Sequence, residues 1–323
     1  QRCAPTAPVT GLRPVLEPVA AHASYPKVTF MRDAQSTPVR IESLSVPVGS
    51  ETVVGTVWLP AEEPSGVVVV HPATATPERF YRAFAEYVVG RGLAAVTYDY
   101  RGTGRSGDPR EHRHLRMRDW MGGDVPAVAA WARARFPDLP VTAVGHSIGG
   151  HAMVLGQGLE ALDRFAIVSS HVADTRTVTP AKEKLRVAAM LHVVGPAISR
   201  TLGYMPGRKL GIGEDIPAAA MIEWGTWARH RGYFFDDPSM DAPARAASVT
   251  QHVLALGASD DSWASPAQMT ALTARLTSAT VEHRTYAPEQ LGVARIGHHG
   301  LLRRAVGEAV WPELLDWLTA PRS

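Results

Sequence analysis

Two hydrophobic rhythms take turns along most of the chain. Ile41 to Val48 and Thr52 to Leu59 are β-patterned runs separated by Gly49-Ser50-Glu51, which predicts an antiparallel hairpin. Val67 to Val70, behind Gly66, is β-branched at every position and predicts a strand buried on both faces. Arg79 to Gly90 places Phe80, Phe84, Tyr87 and Val88 on one helical face. Leu93 to Tyr100 returns to strand character, and Trp120 to Phe136 to helix, with Pro126 near its first turn. Val141 to Gly145 is a further strand. Gly150, Ala152, Met153 and Leu155 follow as small residues and helix formers, and Phe165 to Ser170 is strand again. Strands alternating with helices predict an α/β fold with a mostly parallel central sheet covered by helices on both faces.

The alternation stops at about residue 172 and resumes near 249. The segment between is helical or irregular and rich in Trp, Met and Pro, too long for a plain loop, and predicts a helical cap inserted over the sheet. Beyond it come a strand at Val249 to Gly257, a helix at Pro266 to Leu276, and a strand at Val281 to Ala287. The loop Pro288 to Gly300 leads to a final helix ending near Leu318. Pro5, Pro8, Pro14, Pro18 and Pro26 punctuate a start without apolar period, so residues 1–38 are expected to form an extended N-terminal arm. The expected organisation is therefore an arm (1–38), a core in two pieces (39–171 and 249–323) and a cap (172–248).

Composition narrows the function classes. The chain has 323 residues, 45% hydrophobic and 20% charged, an ordinary soluble balance. Thirty-three basic residues stand against 31 acidic ones, and a net charge of +2 supplies no field for nucleic acid or lipid. No apolar run is long enough to cross a bilayer. A single cysteine, Cys3, builds neither an internal disulfide nor a cysteine metal site and fits a reducing compartment. A cytoplasmic location is the expectation. Gln1 stands where a methionine would, so export stays open. Nothing in the sequence sets an oligomeric state.

Candidate chemistry begins at Gly145-His146-Ser147-Ile148-Gly149-Gly150, placed between a strand and a helix. A serine on so sharp a turn needs glycines two residues before and after it, because side chains there would collide. The turn projects the Ser147 hydroxyl above the sheet edge. It also leaves the Ile148 N–H free at a helix start, where an oxyanion would form. A serine hydroxyl is a poor nucleophile and needs a base that is itself oriented by an acceptor.

Two later loops at strand carboxyl ends offer them. Leu256-Gly257-Ala258-Ser259-Asp260-Asp261 supplies the acid, with Asp260 favoured and Asp261 the alternative. Ile296-Gly297-His298-His299-Gly300 supplies the imidazole, with His298 favoured. The second oxyanion donor is expected in His71-Pro72-Ala73-Thr74, from the N–H of Ala73 or Thr74, since Pro72 has none. His146, Trp224 and Trp227 are candidate substrate-pocket residues, although tryptophans in an insertion most often form its core.

Other motifs carry less. Arg101-Gly102-Thr103-Gly104-Arg105-Ser106 follows a strand but lacks the Lys-Ser/Thr ending of a phosphate loop, so no nucleotide site is assigned. His112 and His114 lack acidic or cysteine companions, so no metal is assigned. No cofactor is expected.

From about Ile41 to Leu318 the sequence resembles the α/β-hydrolase superfamily, and within it a group of bacterial predicted serine hydrolases. The resemblance rests on Phe80 to Ala85, Tyr98 to Ser106, Gly145 to Gly150, Asp260-Asp261 and Ile296 to Arg303. It departs in the first oxyanion loop, where Pro72 and Ala75 stand in place of glycines. The resemblance implies the fold and the triad; with the residues above, the expectation is a serine hydrolase acting on a small-molecule acyl ester through an acyl-enzyme on Ser147, with His298 as base and Asp260 as its partner. An acyltransferase with the same triad and a non-catalytic ligand-binding protein are the alternatives.

Overall fold

The computed structural model describes residues 39–321; the predicted arm lies outside them. The predicted hairpin is present as β1 (Arg40–Val48) and β2 (Glu51–Leu59), paired antiparallel with Val48 opposite Glu51. The core strands that follow are β3 (Val67–His71), β4 (Ala94–Asp99), β5 (Val141–His146) and β6 (Arg164–Val168). The insertion carries the short β7 (Tyr204–Met205) and β8 (Ile216–Pro217). β9 (Val253–Ala258) and β10 (Val281–Tyr286) then complete the main sheet. Its order is β1-β2-β4-β3-β5-β6-β9-β10, and every pair beyond β2·β4 is parallel.

This is the mostly parallel α/β sheet that the alternating pattern implied, in the architecture expected from the resemblance to the α/β-hydrolase superfamily. β3 shows why its run is apolar on both sides. Val67 and Val69 belong to one hydrophobic layer, and Val68 and Val70 to the other. The first layer holds Trp120, Val128 and Phe165; the second holds Phe84, Val88 and Trp311.

Two helices differ from expectation at their starts. The predicted helix at Arg79 opens as a 3₁₀ turn, Glu78–Tyr81, before the α-helix Arg82–Gly90. The predicted helix at Trp120 opens earlier, with Met117–Asp119 and a π-turn Trp120–Asp124, and continues as Val125–Arg135. Pro126 sits in the first turn of that last piece, where its missing N–H costs nothing. The buried Asp124 carboxylate, brought to the start of the helix, holds Arg101 at 2.6 Å, and Arg101 also reaches Glu51 at 2.9 Å. Arg101, the first arginine of the phosphate-loop lookalike, is thereby tied into the fold.

The chain between β6 and β9 is mostly helical: Ala181–Ala189, a π-turn Met190–Val194, Gly195–Leu202, Ala218–Trp227 and Ala242–Ala247. The antiparallel pair β7·β8 was not anticipated, since two-residue strands leave no readable period. The strand expected from Val249 starts at Val253, four residues later, because the helix ending at Ala247 and a turn occupy the interval. No helix among the described residues is long and apolar enough to cross a membrane.

Candidate active site

Ser147 caps the helix Ile148–Val154 with φ +52° and ψ −110°, a backbone conformation that L-residues seldom adopt. The strain is held by packing on all sides. A Cβ on Gly145 would stand 2.5 Å from Gly150 N, and one on Gly149 would stand 2.3 Å from the carbonyl oxygen of His71. A Cβ on Gly150 would meet Ser170 Oγ at 2.0 Å. Backbone bonds complete the turn: Ser147 N–H donates to Val168 O at 2.9 Å, and Ser170 Oγ donates to Ser147 O at 2.9 Å. Ile148, first in the helix, has its N–H in the turn where no helical carbonyl is available to it.

The acid is the first correction. His298 Nδ1 lies 2.8 Å from Asp261 Oδ2, not from Asp260. Asp261 is 3% exposed, and its other oxygen accepts the amides of Trp263 (2.9 Å) and Ala264 (3.0 Å). Burial alone would raise this carboxyl, but the charge and hydrogen bond of His298 outweigh it, helped by His171 and the Ala264 amide. The net result is an acidity well beyond the usual carboxylate range. Asp260 turns to the histidine loop itself, accepting Ile296 N–H and Gly297 N–H, both at 2.9 Å. It fixes the main chain next to the imidazole and leaves the imidazole to its neighbour.

With Nδ1–H donating to a carboxylate, the lone pair of a neutral His298 ring sits on Nε2. His298 lies in a short helix, Gly297–Gly300, where a loop was expected. Its companion His299 pairs Nε2 with Thr76 Oγ1 at 3.0 Å and packs edge-on against Phe80. Burial, with the charges of His298 and Arg303, lowers its pKa to about 3, so it is neutral.

The second correction concerns the first oxyanion loop. Ala73 N–H is already donated to Tyr81 Oη at 2.8 Å, which leaves Thr74 as the uncommitted candidate on this loop. The third concerns the pocket. His146 is fully buried beneath the site, with Nδ1 on Tyr81 Oη and Nε2 on the His298 carbonyl. Trp227 is also buried, its Nε1–H donating to Asp237 Oδ2 at 2.9 Å, with the Arg118 guanidinium 5.5 Å from its ring centre. It belongs to the core of the insertion. Trp224 alone of the three lines the cavity.

That cavity has a volume of about 820 Å³. Ser147, Ile148, Thr74, Asp261 and His298 line it from the sheet side, and Met190, Leu191, Met205, Ile216, Met221 and Trp224 from the insertion. Two further lining histidines were missed in the sequence. His151 stands one turn after Ser147, and His171 follows β6 with its ring 5.6 Å from that of His298. Burial lowers them to about 3 and about 4, so both are neutral. His171 was findable, because it follows a strand carboxyl end on the side where the other site loops gather.

Comparison with known proteins agrees with the fold. Over 103 residues the chain is 36% identical to the monoacylglycerol lipase of Mycolicibacterium smegmatis, a match spanning 32% of this chain and 36% of that protein's length. A soluble variant of monoglyceride lipase from Saccharomyces cerevisiae, in complex with a substrate analog, superposes with a TM-score of 0.65 at 13% identity. That alignment covers 86% of this chain and 94% of the yeast one. The 2-hydroxy-6-oxo-6-phenylhexa-2,4-dienoate hydrolase of a Rhodococcus strain superposes at 0.55 with 18% identity, over 88% of this chain and all of that one. At such identities the superpositions speak for the fold alone. Residues 62–288 match the family described as serine aminopeptidase, S33, and on that match, over an eight-stranded sheet of this order, the chain belongs to that hydrolase family of the α/β-hydrolase superfamily.

Proposed function

We propose that the protein is a serine hydrolase that cleaves carboxylic esters through an acyl-enzyme on Ser147. The observation that carries this is the 2.8 Å bond between His298 and the buried Asp261, made in the same cavity that the strained Ser147 turn enters. Ser147 Oγ attacks the ester carbonyl carbon while His298 Nε2 takes its proton. The imidazolium that forms is steadied by Asp261, which stays ionised. The negative oxygen of the tetrahedral intermediate is received by the N–H groups of Ile148 and Thr74, each worth on the order of 3 kcal/mol in the transition state. Collapse breaks the ester C–O bond, and His298 returns its proton to the departing alcohol. Water then attacks the acyl-serine with His298 again as base, and the free acid leaves.

The insertion acts as a cap. Its methionines and Trp224 give the cavity an apolar roof suited to a medium-sized acyl or alcohol portion, within the usual volume range for a small-molecule site. The partial likeness to a monoacylglycerol lipase favours an ester over a peptide bond. Hydrolysis of p-nitrophenyl acyl esters tests the proposal. Wild type is expected to turn over these esters and Ser147→Ala to fall to the background rate. Equal rates in the two remove the nucleophile assignment.

A further inference from the structure

Two buried side chains outside the triad run between its parts. Tyr81 and His146 are both fully buried, and neither lies in the cavity wall. Three hydrogen bonds link them to the site: Ala73 N–H to Tyr81 Oη at 2.8 Å, Tyr81 Oη with His146 Nδ1 at 2.9 Å, and His146 Nε2 with His298 O at 3.0 Å. The partners fix every proton. A main-chain carbonyl only accepts, so His146 Nε2 carries hydrogen and donates to it. The buried ring is neutral, so Nδ1 holds the lone pair and Tyr81 donates its single hydrogen there. The phenolic oxygen is then left to accept from Ala73, whose N–H can only donate. The polarity is consistent through all three bonds, and reversing the middle one would turn the Nε2 lone pair of the neutral ring against the His298 carbonyl oxygen, acceptor against acceptor.

We infer that Tyr81 and His146 are positioning residues that hold the His298 main chain in register with the oxyanion loop. This rests on the ester-hydrolase proposal for its effect on rate, but not for its effect on structure. The histidine loop is fastened from one side by Asp260, which takes the Ile296 and Gly297 amides. Without His146 the carbonyl of His298 itself loses this side-chain donor. Tyr81 acts one step further back, because its hydroxyl keeps the His146 proton on Nε2. When it is removed, the ring is free to place hydrogen on Nδ1 and turn a lone pair toward the His298 carbonyl. A shift of about 1 Å in a base costs on the order of a hundredfold in rate.

The test compares Tyr81→Phe, His146→Leu and His146→Gln with wild type by p-nitrophenyl butyrate kinetics and by amide hydrogen exchange across residues 296–300. The glutamine amide nitrogen occupies about the place of Nε2 and still donates to His298, whereas leucine cannot. The expected result is a kcat lower by tenfold to a hundredfold in Tyr81→Phe and His146→Leu, with KM within threefold. Exchange should quicken by tenfold or more in residues 296–300 and not in β3 to β6, while His146→Gln recovers most of both. A purely structural role would loosen the core strands together and would not be rescued by glutamine. Tyr81→Phe at or above the wild-type kcat, with unchanged exchange, overturns the inference, as does glutamine behaving like leucine. If wild type cleaves no ester and Ser147 resists a fluorophosphonate, the hydrolase proposal fails, and hydrogen exchange alone decides the positioning role.

Discussion

Asp261 Oδ2 lies 2.8 Å from His298 Nδ1, while the adjacent Asp260 spends its carboxylate on two main-chain amides of the histidine loop. Two neighbouring aspartates thus hold the same short stretch, one by its side chain and one by its backbone. Asp261→Asn is expected to lower kcat by about a thousandfold or more, because the amide favours the wrong imidazole tautomer. Asp260→Asn keeps one acceptor oxygen for the loop and should cost about tenfold or less. Steady-state kinetics on one ester decides it; the larger loss in Asp260→Asn would reverse the assignment.

The fold and the outline of the site were legible because they rest on local patterns. The β-branched run of β3 and the Gly145-x-Ser147-x-Gly149 turn announce their geometry within a few residues, and Gly297-His298-His299-Gly300 stands out by its glycine-flanked histidines, although it folds as a short helix and not as the expected loop. The choice between Asp260 and Asp261 was not legible. Both leave the end of β9 together, and which one faces the imidazole depends on the Trp263 and Ala264 amides, which draw Asp261 inward. Ala73, one of the two donors expected on its loop, was not separable from Thr74 for a similar reason, since its N–H is taken by Tyr81, which the helical-face pattern did not single out. His146 and Trp227 show the same limit: polar atoms on large side chains found partners inside the protein rather than in the cavity.

The glycines of the Ser147 turn carry a stability prediction. A Cβ on Gly149 would sit 2.3 Å from the His71 carbonyl oxygen, a backbone atom that cannot move without disturbing β3. Gly149→Ala should destabilise by about 1–3 kcal/mol and lower the melting temperature by several degrees. Gly122→Ala, where a Cβ would meet nothing within 4 Å, is the matched control and should leave melting unchanged. Equal melting of the two variants in a calorimetric scan would refute the packing argument.

Acid should weaken the fold through its buried histidines. Burial lowers His71 and His151 to about 3 and His171 to about 4, against an ordinary 6.5 in the unfolded chain. As pH falls below 6.5 the unfolded chain binds protons that the folded one refuses, so stability declines until the folded values are reached. Each such histidine contributes a slope of up to about 1.4 kcal/mol per pH unit. Urea unfolding at pH 7.5 and pH 5.0 should show a loss of several kcal/mol at the lower pH. An unchanged midpoint would show that these rings take up protons in the native state.

Cavity shape should set acyl length. Met190 reaches the cavity from the insertion beside Leu191 and Trp224. Met190→Trp fills part of that space and should lower kcat/KM for a p-nitrophenyl laurate about tenfold relative to p-nitrophenyl butyrate, a difference of about 1.4 kcal/mol. An unchanged laurate-to-butyrate ratio would place the acyl chain elsewhere.

The assignment of Ser147 as nucleophile is tested most directly by intact mass and peptide mapping after exposure to a fluorophosphonate. Wild type should gain one adduct, mapped to the peptide carrying Ser147, and Ser147→Ala should gain none. An unmodified wild type, or an adduct of equal extent in both proteins, would contradict the covalent mechanism.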